Sequence, residues 1–466
     1  MLGTLVGVLP GIGPTSGIAI LLPLTAFLPP TPAIIMLAAI YYGAMYGGST
    51  TAILVNIPGE VASVVTTLDG YQMALQGRAG PALAIAAISS FVAGTLGLVG
   101  LSFFAPPLAD FALRIGPPEY FGLVILAFSV VVSLSGASLV KGLSAAALGA
   151  LIALVGLDPM SGARRFAYGT STLLGGIDFI AVIIGLFAIT EVLLGVERAV
   201  AAVSLAPLGK LMPRWAEIKQ CLGTMVRATG VGFVLGLLPG CTPGAISFIS
   251  YDVERRTSKT PERFGKGAIE GVAAPEGANN ATTSAGFVPL FALGIPATPA
   301  LAVVLSGLMI YGLQPGPLLF EKQPQFVWTV IASMYVGNVM LLVLNLPLVG
   351  LWARLCRIPY ALMAPLILMF SVLGAYSVRN SFADVGMALG FGLLGYAMVK
   401  LGYPTAPLVL ALILTPMLES GLRQSLSMAH GSPAIFLTRP IALVLMAAGV
   451  ILTTLTLVSR SRRSPA

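Results

Sequence analysis

The chain has 466 residues, of which 57% are hydrophobic and 9% charged, and its formal net charge is +8. So few charges cannot cover the surface of a water-soluble domain, where about a quarter of residues are charged, and a chain this apolar is not disordered. What remains is an all-α polytopic membrane protein, in which the basic excess reports loop bias toward the cytoplasm rather than nucleic-acid binding.

Apolar segments are predicted at 15–28, 32–57, 80–104, 118–136, 138–157, 173–195, 221–250, 271–295, 297–313, 326–352, 359–378, 382–400, 403–418 and 437–458. At about 20 residues per crossing the length allows roughly 10–12 spans, so some of these segments are too short or too interrupted to cross completely. No Lys or Arg precedes Arg78, so the basic start of a signal peptide is not expected. Nine residues precede Pro10-Gly11, too few to cross a bilayer, so the first broken segment reads as incomplete at its start. Three stretches are basic and read as cytoplasmic: 196–220, 252–267, and a tail at 459–466 carrying Arg460, Arg462 and Arg463. Segment 221–250, between two basic loops, is then either a re-entrant hairpin with Pro239-Gly240 at its tip or one broken crossing helix. The two basic flanks favour the hairpin.

Self-similarity is the strongest signal in the chain. Gly3-Thr-Leu-Val-Gly7-Val-Leu-Pro10-Gly11-Ile-Gly-Pro14 and Gly232-Phe-Val-Leu-Gly236-Leu-Leu-Pro239-Gly240-Cys-Thr-Pro243 both read GxxxGxLPGxxP, 229 residues apart. Further on, Gly47-Gly48-Ser49-Thr50-Thr51 precedes Asn56-Ile57-Pro58-Gly59, and Asn279-Asn280-Ala281-Thr282-Thr283-Ser284 precedes Gly294-Ile295-Pro296-Ala297, with the Ile-Pro pairs 238 residues apart. The chain therefore divides into a first half at 1–195, a basic linker at 196–220, a second half at 221–458 and the tail. Broken segments at corresponding places in two halves point to a transporter binding site.

The chemistry supports that reading. A helix break exposes backbone polar groups, which lipid does not tolerate, so it must face protein or a wet cavity. A Pro-Gly-x-x-Pro turn ends one half-helix and starts another, whose free N–H groups and positive dipole end suit a carboxylate. On this ground the candidate substrate residues are Pro10, Gly11, Thr15, Ser16, Pro239, Gly240 and Thr242. From the polar patches come Ser49, Thr50, Thr51, Asn56, Asn279, Asn280, Thr282, Thr283 and Ser284. The stretch Ala274–Ser284 is the densest polar patch in an apolar region; it reads as a ligand or ion site, or as an interfacial loop with self-satisfied turns. Glu276 either holds the coupling ion or sits in interfacial water, while Glu60 and Asp69 read as a solvated end. The GxxxG pairs read first as helix-packing motifs. Asp178, Glu191, Asp384, Asn338 and Asn345 are isolated and read as interhelical or interface groups. Cys221, Cys241 and Cys356 lack CxxC spacing and His430 is the single histidine, so no catalytic or metal-ligating residue is assigned.

The stretches GVLPGIGPTSGIAILLPLT, YGGSTTAILVNIPGE and APEGANNATTSAGFVPLFALGIPATPA resemble the large membrane subunit of the tripartite tricarboxylate transporters, along nearly the whole chain. The resemblance implies a secondary transporter of the bacterial inner membrane, with an inverted-repeat, elevator-like design. It implies import of citrate-like di- or tricarboxylates driven by Na⁺ or H⁺, with no other cofactor. It also implies two partners, a periplasmic solute-binding protein and a small membrane subunit of about four spans. An ion channel or an intramembrane enzyme are the alternatives from other classes; the Asp-rich motifs, Ser/His groups or paired Asp that an enzyme would want are not visible.

Overall fold

The computed structural model describes residues 1–9, 13–133, 138–158, 160–197, 209–355 and 360–461. Pro10, Gly11, Cys356, residues 198–208 of the basic linker, and Arg462 and Arg463 of the tail lie outside the described residues. The first half builds helices α1 (Leu2–Val8), α2 (Gly13–Leu21), α3 (Pro30–Val55), α4 (Val64–Leu75), α5 (Ala79–Ala112), α6 (Pro117–Ser133), α7 (Leu139–Ala153) and α8 (Phe179–Glu197). The second half builds α9 (Trp215–Gly236), α10 (Pro243–Thr257), α11 (Glu270–Ala285), α12 (Phe287–Leu293), α13 (Pro299–Ile310), α14 (Pro324–Asn345), α15 (Tyr360–Arg379), α16 (Phe382–Lys400), α17 (Thr405–Met428) and α18 (Pro440–Ser461). Among the described residues, six helices (α3, α5, α8, α14, α16 and α17) are long and apolar enough to cross a membrane, and six shorter apolar helices accompany them. The protein is thus an all-α polytopic membrane protein. Among the described residues, the one β element is a two-residue pairing, Gly156–Leu157 with Arg164–Arg165, in a polar loop. In that loop, backbone N–H groups of Met160 and Ser161, together with Arg423, hold the Asp158 carboxyl well below the usual carboxylate range.

The repeated motifs occupy matching places. In each half a short hairpin packs on a long helix: α1 and α2 on α3, and α9 and α10 on α11. The long segment ends at a left-handed residue immediately before the Ile-Pro pair: Asn56 with φ 58° in the first half and Gly294 with φ 71° in the second. Asn and Gly are the residues that enter this conformation at least cost, which explains their place in the motif. Beyond the Ile-Pro pairs the halves exchange contacts. Helix α10 packs on Val61–Ser63 and α4, while α2 packs on α13; α5 packs on α11, while α14 packs on α3. The same exchange recurs further along, where α6 and α7 pack on α17, and α15 and α16 pack on α8. Neither half therefore folds around its own core alone.

Segment 221–250 is a hairpin. Thr224 and Arg227 of α9 both bond Glu254 of α10, at 2.8 Å for Thr224 Oγ1 to Oε1 and 3.0 Å for Arg227 Nε to Oε2. A straight broken helix would hold residues 224 and 254 tens of ångströms apart, since each helical residue adds about 1.5 Å. The GxxxG pairs are close-packing surfaces, as read from the sequence. A Cβ on Gly7 would lie 2.1 Å from the Ala44 carbonyl oxygen, and one on Gly232 would lie 2.4 Å from that of Ala278. The facing atoms are backbone and cannot rotate away.

Gly230 and Gly232 provide a matched test. A Cβ at Gly230 meets nothing within 4 Å, whereas one at Gly232 meets the backbone of α11. Gly230→Ala is expected to leave the thermal midpoint of detergent-purified protein unchanged or slightly raised. Gly232→Ala is expected to destabilise by about 1–3 kcal/mol, the cost of overpacking. Equal midpoints for the two variants would show that the hairpin does not depend on this contact.

Candidate functional site

The polar stretch Ala274–Ser284 forms most of α11, and every residue of that helix from Glu270 to Ala285 is buried. The interfacial-loop reading is therefore excluded: this is a polar helix at the centre of an apolar protein. Its backbone is held by serines from both sides. Ser89 and Ser90 of α5 donate to the carbonyls of Ala273 (2.6 Å) and Glu276 (3.4 Å), and Ser250 and Ser247 of α10 donate to those of Ala274 (3.0 Å) and Pro275 (3.2 Å). Four consecutive carbonyls thus receive hydroxyl donors. That anchors the turn around Pro275, which has no N–H of its own to give.

Glu276 points into a cluster made by both halves. Its Oε2 accepts from Ser49 of α3 at 2.5 Å and its Oε1 from Thr66 of α4. Glu60 lies alongside: its Oε1 accepts from Asn279 Nδ2 at 3.1 Å and its Oε2 from the Ala62 N–H at 2.7 Å. The absence of a side chain on Gly48 makes room for the Glu60 chain, since a Cβ there would lie 2.7 Å from Glu60 Cγ. The amide oxygens of Asn279 and Asn280 are buried with no hydrogen-bond partner. Tyr46, Ser49, Thr50, Ser90 and Asn345 line a cavity of about 20 Å³ beside the cluster. That is room for a water molecule, and a tricarboxylate is many times larger.

The expectation that Glu60 and Asp69 mark a solvated end is wrong for both. Glu60 is 8% exposed and Asp69 is fully buried. Asp69 accepts from Tyr251 Oη and from the N–H groups of Gly267 and Ala268, each at 2.8 Å. The chain after α3 therefore turns inward against α10 and α11 rather than leaving the protein, because these donors repay the carboxylates for lost water.

The remaining candidates fall into two groups. At the second turn, Gly240, with φ 90°, donates its N–H to the Ala297 carbonyl at 2.9 Å. Thr242 caps α10 by accepting from the Ala245 N–H at 3.4 Å, and Gly244 lies against Val61, next to Glu60. Pro239 is half-buried at the tip. In the first hairpin Ser16 is buried and Thr15 half-buried in α2, and Gly59, the counterpart of Ala297, abuts the Gly7 carbonyl. The second group is engaged in packing. Thr51 bonds the Gly48 carbonyl (3.1 Å), Thr282 those of Gly232 (3.1 Å) and Ala278 (2.7 Å), and Thr283 that of Asn279 (3.0 Å). Ser284 meets Tyr42 Oη at 2.6 Å, and Asn56 is an exposed helix end. Asn338 ties α14 to α5 and α3 by bonding the Phe91 carbonyl, Thr95 and Tyr46. Glu60, Thr66, Ser90 and Tyr46 are the cluster members that sequence reasoning missed. Only Glu60 carried a signal, directly after the Asn-Ile-Pro-Gly stretch whose Ile-Pro pair recurs in the second half.

The family described as "Tripartite tricarboxylate transporter TctA family" matches residues 1–410. An uncharacterized 52.8 kDa protein in the TAR-I ttuC' 3' region of Agrobacterium vitis is 45% identical over 451 residues, covering 97% of this chain and 90% of that protein. An uncharacterized protein in the TAR-II ttuC' 3' region of the same organism is 44% identical over 234 residues, covering 50% of this chain and 97% of that protein. No solved structure matches. With a duplicated, helix-broken architecture and a family match along most of its length, the chain belongs to the tripartite tricarboxylate transporter TctA family of multi-pass membrane proteins.

Proposed function

We propose that the protein is a secondary active transporter that imports citrate-like di- or tricarboxylates across the bacterial inner membrane. An ion gradient drives it, and a periplasmic binding protein delivers the substrate. A small membrane subunit of about four spans completes the system, in keeping with the tripartite family. The observation that carries the reading is the convergence of both halves on one buried polar cluster, bounded by the Pro239–Thr242 turn and the Gly59–Val61 segment. Helix starts at α2 and α10 supply positive dipole ends for an anion, and an inverted repeat would present one such break to each side of the membrane. The water-sized cavity beside the cluster does not admit such a substrate, so a substrate reaching the cluster there would need the hairpins to separate from the segments they now touch.

The system is tested by uptake of labelled citrate into proteoliposomes holding both membrane subunits. Uptake is expected to need the binding protein; uptake of the same rate without it would overturn the tripartite reading. In the same assay Asn279→Ala is expected to raise the half-saturating substrate or cation concentration by about tenfold, the equivalent of one lost hydrogen bond to a charged group. Unchanged transport would remove Asn279 from the site. Pro239→Ala is expected to lower the transport rate with little change in protein yield, because it relaxes the turn. Normal kinetics would make the turn purely structural.

A further inference from the structure

Glu276 and Glu60 put two carboxylates into one buried cluster, at 1% and 8% exposure. Among the described residues no Lys, Arg or His pairs with either one. Each of the four carboxylate oxygens already accepts one hydrogen bond: from Ser49 and Thr66 on Glu276, and from Asn279 and the Ala62 N–H on Glu60. The two partners of Glu60 are N–H groups that can only donate, which suits an ionised carboxylate, while the Ser49 and Thr66 hydroxyls can donate to an ionised Glu276 or accept from a protonated one. A buried carboxylate that is ionised needs compensation.

Glu60 has a local source of it. Its side chain caps Val61–Ser63, which runs directly into α4, so the carboxylate sits at the positive end of a helix. Glu276 lies in the middle of α11 and has no such dipole. What it does have is two orphaned acceptors on its own helix face. Asn279 and Asn280 follow it by three and four residues, are 1% and 0% exposed, and carry amide oxygens with no hydrogen-bond partner. Asn279 fixes its amide against Glu60, and Asn280 donates its Nδ2 back to the Glu276 carbonyl at 3.2 Å, so in both residues the nitrogen is spent and the oxygen is free. A buried amide oxygen without a donor, on the same helix face as a buried carboxylate, is the kind of ligand a hard cation takes.

We propose that Glu276, with the amide oxygens of Asn279 and Asn280, forms a Na⁺ site that links α11 to α3 and α4. It deepens the transport reading above by naming the coupling ion and its ligands. Divalent ions fit less well. Ca²⁺ takes 6–8 oxygens, and Mg²⁺ keeps several of its waters, whereas the adjoining cavity of about 20 Å³ has room for one.

The test needs no substrate, so it can fail or succeed apart from uptake. The purified full-length chain is heated in NaCl, KCl, choline chloride, MgCl₂ or CaCl₂ at equal ionic strength, and ²²Na⁺ retention is measured alongside. Only NaCl is expected to raise the thermal midpoint. E276Q is expected to abolish the response and N280A to weaken Na⁺ binding by about tenfold. In choline chloride E276Q is expected to melt at or above the wild-type temperature, because it removes an unpaired buried charge; a carboxylate serving only as a structural acceptor would give the opposite sign. The proposal is overturned if all salts act alike, if a divalent ion or a fall in pH replaces Na⁺, or if E276Q keeps the Na⁺ response. Should E276Q fail to fold, an N280A protein with unaltered Na⁺ affinity overturns it as well. Citrate uptake alongside no Na⁺ response would leave the transport reading standing and this site refuted.

Discussion

Everything in this protein is arranged around one demand: a helix with a carboxylate, two amides and three hydroxyls within nine residues is buried along its whole length. In an apolar surround each of those groups must be matched inside the protein. Helix α11 meets the demand by collecting donors from four neighbours: α3 through Ser49, α4 through Thr66, α5 through Ser89 and Ser90, and α10 through Ser247 and Ser250. Those neighbours are in turn held at the distance the glycines allow. Gly232 and Gly236 let α9 approach α11 backbone to backbone, and a Cβ on Gly97 of α5 would lie 2.8 Å from Ser284 Cβ. Close glycine packing and polar satisfaction are thus two aspects of one arrangement, since the serines reach the carbonyls only because the helices come this near.

The duplication explains why the donors come from both halves. Because α5 packs on α11 while α14 packs on α3, each half supplies the wall against which the other's long helix rests. The polar cluster is the place where this exchange closes, with Glu276 from one half and Ser49, Glu60 and Thr66 from the other. The two halves are nevertheless unequal there. Copy two has a carboxylate and paired amides within α11, whereas copy one places its carboxylate after the helix, at Glu60, where a following helix start can receive it. A duplication gives two similar frames; the chemistry at the centre is asymmetric.

Much of this was legible in the residues. The helical class followed from composition, because 9% charge cannot cover a soluble surface. The turns followed from Pro and Gly, and the hairpin from two basic flanks that had to lie on one side. The left-handed ends were implicit in the pairing of Asn56 with Gly294, two residue types that share little but tolerance of positive φ. The burial of Glu60 and Asp69 was not legible. A carboxylate after a helix usually marks water, and the donors that reverse this expectation, Tyr251 and the N–H groups of Gly267 and Ala268, come from nearly 200 residues away. Thr66 was hidden for the same reason: a threonine within a helix gains meaning only from the group it faces. Local signals predict breaks and ends, while the matching of buried polar groups is decided by tertiary contact.

The placement of the cluster bears on how an anion and a cation would depend on each other. Gly244, at the start of α10, touches Val61, whose neighbour is Glu60. An anionic substrate drawn to that helix start would therefore approach two carboxylates. Like charges about 4 Å apart at an effective dielectric of 20 repel by about 4 kcal/mol, which corresponds to roughly a thousandfold in affinity. A cation at Glu276 would remove much of that repulsion and would pull Asn279 and Asn280 into their bound orientation at the same time. The empty transporter would then hold substrate poorly until the ion arrived, and by linkage would hold the ion poorly until the substrate did. Mutual dependence of this kind would need no long-range relay: it would follow from placing a helix start, which favours negative charge, against the segment that carries Glu60.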